Sequence, residues 1–140
     1  MYSIPQEPVS IKPIGVVVSD FKKVSRQFDY NQESMIYIRE DLIDALIGIE
    51  LFSHIHVVYY QHRRQDWLEM VGNNQEGQSP WIIPFDSEPG CQGVYSTRSP
   101  ARPSALGYCV VELIKCEQNR LYVRGLDAID GTPVLDLKIY

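Results

Sequence analysis

The run Tyr108-Cys-Val-Val-Glu-Leu-Ile-Lys-Cys116, followed by Gln118-Asn119 and then Leu121-Tyr-Val-Arg124, decides the fold class. It is rich in β-branched and aromatic residues, the types that fit a pleated, half-buried surface. In an extended chain Cys109, Val111 and Leu113 point to one side, Val110 and Ile114 to the other. Gln118-Asn119 supplies a turn, and Leu121 to Arg124 returns as the hairpin partner. Downstream, Gly125-Leu126-Asp127 and Asp130-Gly131-Thr132-Pro133 read as two further turns, and Val134 to Tyr140 as a closing strand.

Upstream, Glu50 to His62 is the longest strand candidate. One side carries Leu51, Ser53, Ile55, Val57, Tyr59 and Gln61; the other carries Glu50, Phe52, His54, His56, Val58, Tyr60 and His62. Ser34 to Ile38 reads as a short strand, and Ile11 to Ser19 as a first strand with Ile14, Val16 and Val18 at spacing two. Arg39 to Ile47 carries the one helical signal: Leu42, Ile43, Leu46 and Ile47 share a face, and Gly48 stands where a left-handed capping residue belongs. Asp20 to Glu33 is a long polar loop. Arg63 to Pro89 is a long excursion broken by Asn73-Asn74, Gly77, Pro80, Pro84 and Pro89, with a strand-like piece at Trp81 to Phe85. The sum is a mostly β chain: a small, barrel-like all-β domain with one short helix and long loops, since closure removes exposed strand edges. Residues 1–140 form a single domain, with residues 1–10 as an extended tail.

A net charge of −5 argues against a large basic surface, although Arg63, Arg64, Arg98 and Arg102 could cluster locally. Cys91, Cys109 and Cys116 are odd in number and lack a Cys-x-x-Cys spacing, so neither a disulfide framework nor a zinc knuckle is expected. No apolar run has membrane length and no leader pattern is seen, which makes a cytoplasmic protein the expectation.

The stretch from Gly93 to Gly107 opens as a strand at Val94 and Tyr95 and then concentrates chemistry. Pro100 and Pro103 stiffen it, and Arg98 and Arg102 stand among Ser96, Thr97, Ser99 and Ser104. An arginine fork matches two oxygens at once, which suits an anion or carboxylate; the alternative is a proline-rich surface connection with solvated arginines. His54 and His56 share a strand side, but His62 would lie about 27 Å from His54 along an extended strand, so no metal site is expected. There is no Gly-x-Ser-x-Gly elbow and no phosphate-cradling glycine loop, which argues against a doubly wound nucleotide-binding fold. Asp127 and Asp130 flank Ala128-Ile129; they either bond their own backbone in a turn, or one accepts hydrogen bonds from a ribose or amino group.

Three ordered segments resemble the signatures of one family. They are Ile49-Glu-Leu-Phe-Ser-His-Ile-His, Gly93-Val-Tyr-Ser-Thr-Arg-Ser-Pro-Ala-Arg-Pro and Gly125-Leu-Asp-Ala-Ile-Asp-Gly-Thr-Pro-Val-Leu-Asp-Leu-Lys. Over Ile14 to Tyr140 the chain resembles the TsaA-like (TrmO-like) family of S-adenosylmethionine-dependent methyltransferases, which act on the N6 position of a modified adenosine beside the tRNA anticodon. The resemblance implies a barrel-like homodimer with the cofactor near the subunit interface. By matching positions, it implies cofactor contacts at His62, Arg63, Arg98, Tyr108, Arg124, Gly125, Leu126 and Asp127, with Arg102 and Ser104 toward the substrate. Physically, Arg98 would pair with the donor's carboxylate and Asp127 with its ribose or ammonium. Backbone at Gly125 and Leu126 would read the adenine, with Tyr108 packing on the ring. No catalytic residue is named, because a nitrogen acceptor facing a sulfonium needs alignment more than a dedicated base.

The chain departs from the family pattern at Arg102-Pro-Ser-Ala-Leu-Gly, where Arg-Pro-Asn-Pro-Ile-Gly is usual, and at Lys138-Ile-Tyr140, where Lys-Pro-Tyr is usual. It also shows no C-terminal extension like that of larger bacterial members. Two other readings therefore stay open: a binding module that holds the cofactor without turnover, and a small-molecule methyltransferase on the same scaffold.

Overall fold

The computed structural model describes residues 1–25, 27–71, 79–84 and 91–140. Six strands form a closed antiparallel barrel: β1 (Gly15–Val18), β2 (Glu33–Ile38), β3 (His54–Tyr60), β6 (Leu106–Glu117), β7 (Arg120–Arg124) and β8 (Pro133–Ile139). Around the barrel the order is β1-β2-β7-β6-β3-β8, and β8 pairs with β1 to close it. Two short strands, β4 (Ile82–Pro84) and β5 (Cys91–Gly93), pair with each other outside the barrel. Closure leaves none of the six with a free edge.

The hairpin that decided the fold class is β6–β7, with Leu113 opposite Val123 and Cys116 opposite Leu121. Its inward row is the expected one: Cys109, Val111 and Leu113 are buried, as are Leu121 and Val123. Ile55, Val57 and Tyr59 of β3 complete this wall of the core. Asn119 at the turn does more than reverse the chain. Its buried side-chain amide donates to the Ile38 carbonyl at 2.7 Å, and its own carbonyl accepts from Ile38 N–H at 2.8 Å, tying the hairpin to the end of β2.

Four local expectations are corrected. In β1 the buried residue is Val17, opposite Ile36, while Val18 is exposed. A run of three valines presents an apolar residue to both faces, so pairing with β2 chooses the inward one, and composition cannot. The segment read as an α-helix is a 3-10 helix, Glu40–Leu46, followed by a second 3-10 turn at Ile49–Leu51. Only Leu46 of its apolar face is fully buried, with Leu42 packed against the core, so tighter winding costs little. Gly48 between the two turns does take the left-handed conformation, at φ 87°.

Among the described residues the one α-helix is α1 (Arg64–Val71), inside the stretch expected to be irregular. It was hidden because it offers little apolar periodicity beyond Trp67 and Leu68. Finally, Val94 and Tyr95 form a 3-10 turn, Val94–Ser96, rather than opening a strand; Val94 is buried there. The strand-like piece at Trp81 to Phe85 is β4, and Phe85 lies outside the described residues, as do Asn73-Asn74, Gly77 and Pro89. No helix among the described residues is long and apolar enough to cross a membrane.

Candidate functional site

At one end of the barrel, segments far apart in sequence surround a cleft of about 720 Å³, within the size range of small-molecule sites. The floor is the exit of β3 and the start of β6, with Tyr59, Gln61, Gly107 and Cys109. One wall is the proline-stiffened segment from Tyr95 to Ser104; another is α1 and the residues before it, with His62, Arg63, Arg64 and Trp67. The loop after β1 contributes Phe21, Val24, Ser25 and Tyr30, and the β7–β8 connection contributes Asp127 to Ile129 and Thr132.

The β7–β8 connection is held tightly. Gly125 takes φ 86°, and its N–H donates to the Gln32 carbonyl at 3.0 Å. The Cys109 thiol donates to the Gly125 carbonyl at 3.3 Å, and the Tyr59 hydroxyl donates to the Asp127 carbonyl at 2.8 Å. Leu126, Ala128 and Ile129 are buried beneath the turn. These anchors leave one polar side chain of the turn, Asp127, on the cleft.

The two aspartates of this connection have different roles. Asp130 accepts from Ser19 N–H at 2.9 Å and from the Lys22 ammonium at 2.9 Å; the lysine bond holds its carboxyl below the usual range. It is a turn-forming carboxylate. The Asp127 carboxylate has no hydrogen-bond or ion-pair partner among the described residues, and packing around it raises its pKa above the ordinary carboxylate value although the residue keeps solvent contact. A cation placed beside it would reverse that shift.

Arg98 lines the same cleft. Its guanidinium lies 5.6 Å from the centre of the Tyr108 ring and makes no ion pair among the described residues. Arg102 is more constrained: it donates to the Thr97 and Ser99 carbonyls at 3.3 and 3.0 Å and lies 5.8 Å over the Tyr95 ring. Arg63 is held by the Asp66 carboxylate. Burial and the neighbouring Arg63 charge lower the pKa of His62, which favours the neutral ring.

Of the residues expected to form a site, the cleft brings together His62, Arg63, Arg98, Tyr108 and Asp127, with Arg102 and Ser104. Arg124, Gly125 and Leu126 do not line it. Arg124 is clamped between Glu112 at 2.7 Å and Glu33 at 2.8 Å, while Gly125 and Leu126 are buried and carry the turn. Tyr108 sits at the rim and is committed outward: its hydroxyl bonds the His56 ring, which stacks on Tyr140 with centroids 5.4 Å apart. His54 bonds Ser53 at 2.9 Å. Among the described residues no cluster of three or more His, Cys, Asp or Glu could hold a metal ion.

Sequence reasoning missed Tyr59, Gln61, Trp67 and Cys109 as cleft residues, while Arg64 lines the cleft with Arg63, Arg98 and Arg102, the four arginines read as a local cluster. A signal was present for two of them. Tyr59 and Gln61 continue the inward row of Ile55 and Val57, and a polar residue ending an inward apolar row marks where a core opens onto a site.

The class of protein is thus a closed six-strand antiparallel barrel with a cleft at one end lined by aromatic, aliphatic and charged side chains. The chain belongs to the family described as the tRNA-methyltransferase O N-terminal domain, which matches residues 14–140. It is 41% identical over 138 residues to a probable S-adenosyl-L-methionine-binding protein of Methanothermobacter thermautotrophicus, covering 94% of this chain and 90% of that protein. It is 38% identical over 96 residues to the mouse tRNA (adenine(37)-N6)-methyltransferase, covering 69% of this chain and 20% of that protein. Among solved structures it is similar to TrmO from Pseudomonas aeruginosa, with TM-score 0.70 and 27% identity over 99% of this chain. The chain spans 57% of that structure.

Proposed function

We propose that this protein is an S-adenosylmethionine-dependent methyltransferase acting on the N6 position of a modified adenosine beside the tRNA anticodon. The observation that carries the reading is the meeting of Arg98 and Asp127, 29 positions apart by number, on one cleft of a TrmO-like barrel. The similarity to proteins named for S-adenosylmethionine binding and for adenine-37 N6 methylation supports it.

The cleft's chemistry fits the donor. S-adenosylmethionine carries one carboxylate and two cationic centres, an ammonium and a sulfonium. Arg98, without an ion-pair partner among the described residues, offers its guanidinium to the carboxylate, worth two parallel hydrogen bonds when bidentate. Asp127, without a partner among the described residues, offers its carboxylate to the ammonium or the ribose, and a bound cation favours its ionised form. When bound, the cofactor supplies an activated methyl group on sulfur. The chain's residues supply placement: the Tyr59 and Cys109 bonds fix the Asp127 turn, and Pro100 and Pro103 limit how far the Arg98 segment can move. Arg102 and Ser104 face the acceptor in this reading, with Arg64 on the same cleft for phosphate. His62 and Arg63 border the cofactor. Arg124, Gly125 and Leu126 contribute by holding the turn that presents Asp127.

A homodimer is part of the reading. The outer face of β3 and β6 exposes Tyr60, Leu106, Tyr108 and Ile114, with Tyr140 beside them, an apolar strip suited to a second copy. A tRNA acceptor implies action in the cytoplasm. The second reading, a module that binds the cofactor without turnover, is favoured by the naming of the archaeal relative only as a probable binding protein.

Transfer of tritiated methyl from S-adenosylmethionine into bulk tRNA from cells lacking the corresponding enzyme separates the two. Label recovered in an N6-methylated adenosine beside the anticodon is the expected result. Tight cofactor binding without incorporation into tRNA would overturn the enzyme assignment in favour of the binding module or of a small-molecule acceptor.

A further inference from the structure

We infer that Gln61 is a further ligand-binding residue, whose side-chain oxygen accepts a hydrogen bond from an N–H group of the methyl donor. The inference rests on the reading of the cleft as a site for that donor. Nothing in the family resemblance points to this position.

Gln61 follows β3 and continues its inward row, two residues beyond Tyr59. Its backbone is pinned on both sides: its N–H donates to the Ala105 carbonyl at 2.8 Å, and its carbonyl accepts from Arg64 N–H at 3.1 Å. The residue is thus fixed between the start of β6 and the start of α1, and its side chain lines the cleft. There its oxygen Oε1 is buried and has no donor among the described residues.

An orphaned buried acceptor carries its full desolvation penalty, and native structures tolerate few of them. The only other such side-chain atom among the described residues is Ser34 Oγ, and Ser34 does not line the cleft. A methionine at position 61 would fill similar space without the penalty. An amide persists usefully there if a donor arrives with the ligand. The terminal torsion of glutamine is broad, so a modest turn brings the oxygen to the cleft surface. S-adenosylmethionine offers two N–H donors, its ammonium and its adenine amino group. With Arg98 as donor and Asp127 and Gln61 as acceptors, each polar end of the ligand meets a complementary group.

The test uses the full-length protein and reads affinity together with the stability of the free protein. Calorimetry with S-adenosylmethionine is run on wild type, Gln61→Met and Gln61→Glu, beside thermal unfolding without ligand. Gln61→Met should bind about 5- to 50-fold more weakly while its Tm stays level or rises. Gln61→Glu, which keeps an acceptor, should bind within a few-fold of wild type. A merely structural glutamine would move Tm and affinity down together. The inference is overturned by Gln61→Met affinity within twofold of wild type, or by a loss of affinity matched by a fall in Tm. Repeating the pair with 5′-methylthioadenosine, which lacks the amino-acid moiety, locates the partner. A persistent loss assigns the adenine amino group, and a vanished loss assigns the ammonium. If wild type itself fails to bind S-adenosylmethionine, the function proposed above is wrong. If wild type binds and Gln61→Met is indifferent, only the role of Gln61 is wrong.

Discussion

Replacing Arg98 with alanine is expected to weaken binding of S-adenosylmethionine roughly 10- to 150-fold while leaving the fold intact. The magnitude follows from the worth of a hydrogen bond to a charged group, about 1.5–3 kcal/mol, converted at a factor of ten per about 1.4 kcal/mol. The fold should survive because Arg98 is exposed and makes no ion pair among the described residues. Its guanidinium lies over the Tyr108 ring at 5.6 Å, a contact of the kind worth about 0.5–1 kcal/mol at an exposed site. Arg98→Lys should recover only part of the loss, since an ammonium cannot match two carboxylate oxygens in a plane. Calorimetry on the three proteins, with unfolding curves alongside, checks this. Equal affinities would remove Arg98 from the site. By contrast, Arg102 already spends hydrogen bonds on the Thr97 and Ser99 carbonyls, so Arg102→Ala should disturb the loop as well as any ligand.

A large loss of stability is expected from Gly107→Ala. A Cβ at Gly107 would overlap Cε2 and Cζ of the Tyr59 ring, well inside contact distance. The ring lies across this glycine so that its hydroxyl can reach the Asp127 carbonyl. Adding the methyl forces the buried ring aside. Overpacking of this kind costs about 1–3 kcal/mol, and the lost hydrogen bond about 1 kcal/mol more. For a domain of this size that lowers Tm by roughly 4–16 °C. Cofactor affinity should fall too, because the displaced ring releases the Asp127 turn. A double-mutant cycle isolates the cause. In a Tyr59→Leu background, where the ring is gone, the same alanine should cost much less than in wild type. Equal costs in both backgrounds would show that the strain lies elsewhere.

How much of this was legible before the structure depends on what each residue had to compete with. The β6–β7 hairpin was readable because a run of β-branched and aromatic residues from Tyr108 to Arg124 is broken by a turn at Gln118-Asn119. β1 was not readable to the residue: three valines in a row satisfy either register, and Ile36 of β2 decides. α1 escaped because a short, polar helix packed beside a cleft need not show a full apolar stripe. At the site, Arg98 and Asp127 stood out by type and surroundings, and both lie on the cleft. Arg124 stood out equally, yet Glu112 across the hairpin and Glu33, far from it in sequence, engage its guanidinium on the barrel wall. Asp130 looked the twin of Asp127 until Lys22 and Ser19 claimed it. Long-range partners of this kind, rather than local propensity, separate a free functional group from one already spoken for.

The most direct test is a crystal structure of the protein grown with S-adenosylmethionine or S-adenosylhomocysteine. The donor's carboxylate should lie within hydrogen-bond distance of the Arg98 guanidinium, with the Asp127 carboxylate facing its ammonium or ribose in the same cleft. A ligand seated elsewhere, touching neither Arg98 nor Asp127 in any subunit, would contradict the account at its base.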